Sequence, residues 1–298
     1  MSLDLQGVIR QIEGAILGKS LQIRMTLACL IARGHLLIED VPGVGKTTLA
    51  HVLASTLGLQ FSRIQFTSDL LPADILGVSV FEREKNQFSF HPGPIFTQML
   101  LADEVNRATP KAQSALLEAM EEHQVTVEGT TRKLPEPFFV IATQNPSHQV
   151  GTYPLPESQL DRFLMRIEMG YPDRAAERSL LNGTDRREII AGLKPRMNAD
   201  ELLELQQRAR KVFVSDALLD YVQALLHQTR VSPHYAHGLS PRAGLALLSA
   251  ARAWALIDGR NAVIPEDVQS VLPGVASHRL YTSGNQSVQD LIEAVPLP

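Results

Sequence analysis

The sequence contains a single cysteine, Cys29, so no disulfide bond can form within the chain. Cys29 lies in the apolar helical stretch 21–31, where we expect a buried and unreactive thiol. No segment approaches the ~20 consecutive apolar residues that a membrane-spanning helix needs. Residues 1–12 mix charged with apolar side chains and lack the continuous apolar segment of a signal peptide. We therefore expect a cytoplasmic protein.

An excess of positive charge is also missing. The 28 lysines and arginines stand against 32 acidic residues, which gives a net charge of −4 and a pI near 6.1. Proteins whose main task is to bind nucleic acid are usually basic, so the net charge does not favour nucleic acid as a partner. A local basic patch is still compatible with a net charge of −4. The chain has no internal repeat, and 298 residues are enough for two domains.

Short apolar strands alternate with helices over residues 35–168, after two helices within residues 1–33. We predict strands at 35–39, 61–66, 98–102, 138–143 and 163–168, with helices at 47–57 and 110–122. Such alternation predicts a parallel sheet covered by helices on both faces, with any ligand at the carboxyl ends of the strands.

Two insertions and a helical region complete the predicted organisation. Residues 78–90 have the pattern of a β-hairpin or an extended insert, and residues 124–133 have the pattern of a second hairpin. After residue 172 the strand pattern stops, and we predict helices at 174–182, 199–210, 215–230, 241–258 and 265–272. The prediction is an α/β domain over residues 1–172 followed by a smaller all-helical domain over residues 173–298.

A glycine-rich turn joins the first strand to the following helix over residues 40–47. Glycines allow backbone N–H groups to face an anion, the helix N-terminus adds positive potential, and the ammonium of Lys46 reaches the outer phosphates of a nucleotide. Asp40 stands where the usual phosphate-loop pattern has its first glycine, but the strand before and the helix after support the prediction. The expected nucleotide-binding residues are Val41, Pro42, Gly43, Val44, Gly45, Lys46, Thr47 and Thr48.

Two carboxylates, Asp103 and Glu104, follow the apolar strand 98–102. Because Mg²⁺ prefers oxygen ligands, Asp103 and the hydroxyl of Thr47 are the predicted metal ligands. Glu104 is the predicted group that polarises an attacking water molecule. Two solvated acids at a strand end are the alternative for an isolated pair. Together with the glycine-rich turn, the acids predict hydrolysis of ATP, with ATP and Mg²⁺ as the bound cofactors.

Four segments resemble the MoxR-type AAA+ ATPases. They are LIEDVPGVGKT at 37–47, LADEVNRA at 101–108, ATQNP at 142–146 and LPESQLDRF at 155–163. The resemblance implies an AAA+ P-loop sheet followed by a helical lid. It also implies a ring, expected to be a hexamer, with a chaperone-like role in maturing other protein complexes. Partners in that family often contain von Willebrand A-type domains.

The same resemblance suggests catalytic roles for three further residues. Asn145 would hold the attacking water, Arg162 would be the arginine finger sent into a neighbouring subunit, and Arg242 would be the sensor-2 arginine of the lid. The alternatives are a turn-forming asparagine before Pro146, a surface ion pair of Arg162 with Asp161, and a helix-surface arginine at 242. Whether Arg242 acts on its own nucleotide or on a neighbour's stays open at this stage.

The two hairpins correspond, in the resemblance, to the helix-2 insert and the pre-sensor-1 hairpin, which contact substrates. Exposed loops with packed aromatic residues are the alternative. Two other functions share the same ATPase residues: a nucleic-acid motor, and a chelatase-like subunit that drives metal insertion into a cofactor. The nature of the partner distinguishes these functions, since the predicted catalytic residues are common to all three.

Overall fold

The computed structural model of the protein describes residues 4–145, 152–182, 186–280 and 287–297. Five strands form the central sheet: β1 (Leu36–Glu39), β2 (Phe61–Gln65), β5 (Met99–Asp103), β8 (Phe139–Gln144) and β9 (Met165–Ile167). They pair in the order β2-β5-β8-β1-β9, and every pairing is parallel. The predicted parallel sheet is confirmed, although β9 is shorter than the predicted strand 163–168 because residues 161–164 form a turn and a bend.

Both predicted hairpins are present outside this sheet. The first pairs β3 (Gly77–Glu82) with β4 (Gln87–Pro92), and the second pairs β6 (Gln124–Val127) with β7 (Thr130–Lys133). The helices of this part are α1 (Leu5–Ala15), α2 (Ser20–Ile31), α3 (Lys46–Leu57), α4 (Pro72–Leu76), α5 (Pro110–Glu122) and α6 (Glu157–Leu160). A short 3-10 helix spans Val105–Arg107. The sequence did not predict α4, α6 or the 3-10 helix, which are too short to show helical periodicity.

The sheet is buried on both faces. Along β1, Leu36 and Ile38 belong to one apolar cluster, whereas Leu37 between them belongs to another, because successive side chains of a strand point to opposite faces. The first cluster packs against α1, α2 and α3, and the second packs against α5. Strands buried in this way are almost entirely apolar, as residues 99–102 of β5 show.

Helices follow the sheet in the rest of the described chain. They are α7 (Arg174–Asn182), α8 (Arg186–Ala191), α9 (Ala199–Arg210), α10 (Asp216–Val231), α11 (Pro241–Ile257), α12 (Pro265–Ala276) and α13 (Val288–Ala294). All five predicted helices of this region are found, whereas the short α8 and α13 were not predicted. Asn198 and Glu201 form a reciprocal capping box at the start of α9, with both hydrogen bonds 3.0 Å long. Among the described residues, no helix is both long and apolar enough to cross a membrane.

The C-terminal helices are packed firmly onto the sheet region. Residues of α2, α9, α11 and α12 share one apolar cluster, and the buried Gln206 donates a hydrogen bond to the carbonyl of Leu30 at 2.9 Å. The predicted division after residue 172 falls between β9 and α7. Helices α9, α11 and α12 therefore lie on the same side of the sheet as α2.

Candidate active site

The glycine-rich turn leads from the end of β1 into the first residue of α3. Gly43 and Gly45 have φ values of +88° and +95°, and a Cβ atom at either position would meet no atom within 4 Å. Glycine is therefore required here for its backbone conformation rather than for space. The turn and the start of α3 line a cavity of about 280 Å³ together with Asp103, Glu104 and Asn145.

Lys46 lies at the bottom of this cavity and is 8% exposed. Its ammonium donates hydrogen bonds to the carbonyl oxygens of Asp40 and, at 3.1 Å, of Val41. Burial lowers the pKa of Lys46 below its ordinary value, and the nearby carboxylates of Asp40, Asp103 and Glu104 oppose this shift. The ammonium rests on neutral carbonyls, which an anionic ligand can replace.

Most of the predicted nucleotide-binding residues line this cavity, namely Pro42, Gly43, Gly45, Lys46, Thr47 and Thr48. Val41 contributes its carbonyl to Lys46, as described above, and does not line the cavity. Val44 lines an adjoining compartment of about 220 Å³, which also touches Gly43, Gly45 and Thr48. This apolar compartment is completed by Ala15, Ile16, Leu17, Lys19, Pro172 and Leu180. The sequence did not predict this compartment, because its walls come from three segments that are distant along the chain.

Asp103 ends β5 and is 8% exposed. Its Oδ1 accepts a hydrogen bond from the Thr143 hydroxyl at 2.5 Å, and its Oδ2 accepts one from Arg63 on β2 at 2.6 Å. Asp103 thus already neutralises the charge of Arg63. Together with the hydroxyl of Thr47, which lines the same cavity, Asp103 offers the oxygen donors that Mg²⁺ prefers. The donor set fits the predicted metal. Arg63 and Thr143 were not predicted as part of the site.

Glu104 follows β5 in a left-handed backbone conformation, with φ +56° and ψ +49°. Its backbone N–H donates to the Thr143 hydroxyl at 2.9 Å. Its carboxylate accepts hydrogen bonds from Gln65 at 2.8 Å, from Arg107 at 2.9 Å and from Asn145 at 2.9 Å. A left-handed conformation is unfavourable for glutamate and persists where surrounding contacts determine it, as they do here.

Asn145 directly follows β8, the strand next to β5, and is 6% exposed. Its side-chain amide nitrogen donates to Glu104 Oε1, and its backbone carbonyl accepts from the side-chain amide of the buried Asn106 at 3.1 Å. The side chains of Glu104 and Asn145 therefore face the same point of the cavity. Pro146, the last residue of the predicted motif, lies outside the described residues.

The structure separates the two predicted arginines from this cavity and brings them together elsewhere. Arg162 follows α6, and Arg242 is the second residue of α11. Both form ion pairs with the same carboxylate, Glu121 near the end of α5, at 2.6 Å and 3.1 Å. Neither arginine lines the cavity that holds Lys46. Both arginines therefore lie outside the cavity that Glu104 lines.

Comparison with known proteins agrees with this geometry. The family model described as "ATPase family associated with various cellular activities (AAA)" matches residues 35–165, and the model described as "AAA lid domain" matches residues 227–295. The uncharacterized protein YeaC of Bacillus subtilis is 44% identical over 299 residues, which cover 97% of this chain and 93% of that protein.

Two further relatives extend over most of the chain. The chaperone MoxR1 of Mycobacterium tuberculosis is 43% identical over 285 residues, covering 93% of this chain and 75% of MoxR1. A crystal structure of a proposed ATPase from Cytophaga hutchinsonii has a TM-score of 0.89 at 37% identity, covering 97% of this chain and 92% of that one. The chain therefore belongs to the MoxR-type family of AAA+ ATPases.

Proposed function

We propose that this protein hydrolyses ATP to ADP and phosphate and uses the reaction to remodel partner proteins. The observation that supports hydrolysis is the convergence of Lys46, Asp103, Glu104 and Asn145 on one cavity. Three adjacent parallel strands, β5, β8 and β1, deliver these residues at their carboxyl ends, where ligands of such sheets bind.

The phosphates would lie along residues 41–48. There the ammonium of Lys46 would exchange the carbonyls of Asp40 and Val41 for phosphate oxygens. Thr47 and Asp103 would hold Mg²⁺, which when bound neutralises negative charge on the phosphates. The base and sugar would enter the apolar compartment, since it shares Gly43, Gly45 and Thr48 with the phosphate cavity.

Glu104 and Asn145 would act on the attacking water. The Asn145 amide donates to Glu104 at 2.9 Å, so a water beside this pair can donate to the carboxylate while the second N–H of the amide orients it. The water oxygen attacks the γ-phosphorus, its proton leaves toward Glu104, and the bond to the oxygen bridging the β and γ phosphorus atoms breaks. Glu104 Oε1 accepts from Asn145 whereas Oε2 accepts from Gln65 and Arg107, so among the described residues Oε1 keeps acceptor capacity for the water.

Arg162 and Arg242 would act on the nucleotide of a neighbouring copy. This is supported by their position away from their own cavity and by their exposure, with 30% and 53% of the two side chains accessible. An arginine finger suits the charge that spreads over the γ-phosphoryl oxygens during transfer. A site completed by a neighbour needs head-to-tail contacts between copies, which close into a ring when the rotation allows it, and we propose a hexameric ring. Residues 1–172 would form the nucleotide-binding domain, and residues 173–298 the helical lid.

Client proteins are the proposed partners, including proteins with a von Willebrand A-type domain. A relative of this chain is named a chaperone, and the β3–β4 hairpin exposes Val78, Val80, Phe81 and Phe88. An exposed apolar surface of this kind suits contact with protein. The net charge of −4 does not favour nucleic acid. We place this activity in the cytoplasm, which cell fractionation would test.

The experiment that tests hydrolysis compares Lys46→Ala and Glu104→Gln with the wild-type protein. We expect Lys46→Ala to lose Mg-ATP binding in calorimetry, because the buried ammonium is removed. Glu104→Gln should bind Mg-ATP but lose turnover. Lys111→Ala, which removes an exposed lysine at the start of α5, is the control and should behave as wild type.

Undiminished turnover by Glu104→Gln would contradict the role of Glu104 in catalysis. Folded wild-type protein that binds neither Mg-ATP nor Mg-ADP would contradict the whole proposal. Glu104→Gln loaded with ATP should also retain clients, which a pull-down and mass spectrometry would identify. Turnover that rises with DNA and falls steeply with salt would instead indicate a nucleic-acid motor.

A further inference from the structure

Glu121 binds both predicted arginines at once. Its Oε2 lies 2.6 Å from Arg162 Nη1, and its Oε1 lies 3.1 Å from Arg242 Nη2. Arg162 Nη1 also donates to the carbonyl of Leu117, one turn earlier on α5, at 2.9 Å. One carboxylate on the sheet side of the molecule therefore holds an arginine from the loop after α6 and an arginine from the C-terminal helices.

A second carboxylate extends this arrangement. Asp161 Oδ2 lies 3.9 Å from Arg242 Nε, and Asp161 Oδ1 accepts from Arg279 Nε at 2.6 Å. The Arg279 side chain is 7% exposed and also donates to the carbonyl of Phe163 at 2.7 Å. Arg279 thereby fixes the segment that carries Asp161 and Arg162, so the network is anchored at one end in the core.

The charges explain why Glu121 is needed. Two guanidinium groups within reach of one another repel, and a carboxylate between them removes this repulsion. Each guanidinium uses one end for Glu121. Among the described residues, Arg162 Nη2 and Arg242 Nη1 have no hydrogen-bond partner, so both remain available to an anion. A planar guanidinium that is held at one nitrogen has a fixed orientation, and its other nitrogen is then directed at the anion.

We propose that Glu121 is a positioning residue that holds Arg162 and Arg242 together as one unit for the γ-phosphate of a neighbouring subunit. This rests on the proposed function, in which both arginines act in a neighbour's site. Glu121 itself touches neither nucleotide nor water. Because Arg242 belongs to the C-terminal helices and Glu121 to α5, their ion pair also ties the lid to the nucleotide-binding part in the arrangement that presents both arginines.

The test replaces Glu121 with glutamine, which keeps the size of the side chain but removes its charge and one acceptor. We expect kcat for Mg-ATP to fall about tenfold or more, since a displaced arginine finger loses part of a large rate contribution. The Kd for Mg-ATP should stay within about twofold of wild type, because the variant's own phosphate cavity is intact. Glu122→Gln, which removes the adjacent exposed carboxylate of the same helix, is the matched control and should retain full turnover.

Mixing experiments separate positioning from a general structural effect. Rings that combine Glu121→Gln with Lys46→Ala subunits should recover turnover, because Lys46→Ala subunits present an intact arginine pair to Glu121→Gln subunits that bind ATP. The melting temperature of each variant is measured in parallel. If Glu121→Gln melts well below Glu122→Gln, Glu121→Asp is measured in its place. Aspartate keeps the charge but is one methylene too short to bridge both arginines. Glu121→Asp should therefore also lose turnover without losing Mg-ATP binding.

Three results would overturn the inference: full turnover by Glu121→Gln, loss of Mg-ATP binding by it, or no recovery in mixed rings that demonstrably form. Arg162→Ala, measured beside it, distinguishes this inference from the proposed function. Normal turnover by Arg162→Ala would contradict the arrangement between subunits itself. Lost turnover by Arg162→Ala together with normal turnover by Glu121→Gln would contradict the role of Glu121 alone.

Discussion

The carboxylate of Asp40 accepts a hydrogen bond from the backbone N–H of Gly170 at 2.6 Å, and so ties the glycine-rich turn to the segment after β9. Its other oxygen accepts from the N–H of Val41 at 2.7 Å. Gly170 has a φ of +63° and lies two residues before Pro172, which lines the apolar compartment. A side chain at the place of the usual glycine therefore connects the two parts of the proposed nucleotide site.

Replacing Asp40 with asparagine removes the charge and the acceptor that faces Gly170. Hydrogen bonds to charged groups contribute about 1.5–3 kcal/mol when buried, and Asp40 is partly exposed, so we expect about 1 kcal/mol, or roughly fivefold weaker Mg-ATP binding in calorimetry. Glu168→Gln, an exposed carboxylate two residues before Gly170, is the control. Equal affinities for Asp40→Asn and Glu168→Gln would show that this hydrogen bond does not shape the site.

Replacing Arg63 with glutamine should strengthen Mg²⁺ binding. Arg63 pairs with Asp103 at 2.6 Å and so competes with a metal for the same carboxylate. Arg63 is 46% exposed, and water screens the pair, so we expect an increase of about threefold in Mg²⁺ affinity. The measurement is a Mg²⁺ titration of nucleotide binding. Arg83→Gln, the control, removes the same charge from the turn of the β3–β4 hairpin and should leave the titration unchanged. Weaker Mg²⁺ binding by Arg63→Gln would contradict competition between Arg63 and Mg²⁺ for Asp103.

Replacing Arg162 with alanine should abolish turnover while leaving Mg-ATP binding intact, because Arg162 is absent from its own phosphate cavity. An arginine finger contributes about 10³–10⁵ in rate. Mixed with Lys46→Ala protein, Arg162→Ala subunits should regain turnover wherever a Lys46→Ala neighbour supplies its arginine. Steady-state ATPase assays over a range of mixing ratios measure this. A constant absence of activity in mixed rings would exclude catalysis between subunits.

Stability should fall as the pH drops below 6.5. His35 is buried, its Nδ1 accepts from the N–H of Val140 at 3.0 Å, and its Nε2 donates to the carbonyl of Met120 at 3.1 Å. Burial lowers the pKa of His35 to about 4, and that of His278 to about 3. The unfolded chain binds protons near pH 6.5 whereas the folded chain does not, so stability is present above pH 6.5 and is lost toward pH 4.

Each such histidine contributes a slope of up to about 1.4 kcal/mol per pH unit in this window. Urea denaturation between pH 7.5 and pH 5 measures it. His35→Gln should be less stable at pH 7.5 but show a shallower pH dependence, whereas His234→Gln, which alters an exposed histidine, should keep the wild-type slope. A wild-type slope in His35→Gln would show that His35 is not the group responsible.

Labelling of Cys29 should report unfolding and, through it, ligand binding. The thiol is fully buried, and burial raises the pKa of Cys29 above its ordinary value, so the reactive thiolate forms only when the core opens. We expect slow labelling by a thiol reagent in the native protein, and slower labelling still with Mg-ADP, since a ligand that binds the folded state stabilises it. Lys46→Ala should show no such protection. Rapid labelling of the native protein would contradict the buried position.

The sequence by itself determined the parallel α/β organisation, the two hairpins, the predicted helices after residue 172 and the family. Local patterns carry these features: apolar periodicity, capping residues such as Asn198 and Glu201, and glycines whose positive φ a turn requires. The sequence motifs also contained the phosphate cavity residues, because each lies at or soon after the end of a strand that pattern alone identifies. Lys46 begins the helix that follows β1, Asp103 ends β5, and Glu104 and Asn145 directly follow β5 and β8.

Only the tertiary structure decided which distant side chains meet. Gln65 and Arg63 reach the acids because β2 pairs with β5, and Gln65 lies opposite Asp103 in that register. The apolar compartment needs α1, the glycine-rich turn and Pro172 together. Glu121 joins Arg162 and Arg242 because the fold brings the end of α5 close to the start of α11 and to the residues after α6, which are far apart in sequence. These contacts depend on the order of the strands in the sheet and on how the helices pack. Neither hydrophobic periodicity nor local propensity determines strand order or helix packing.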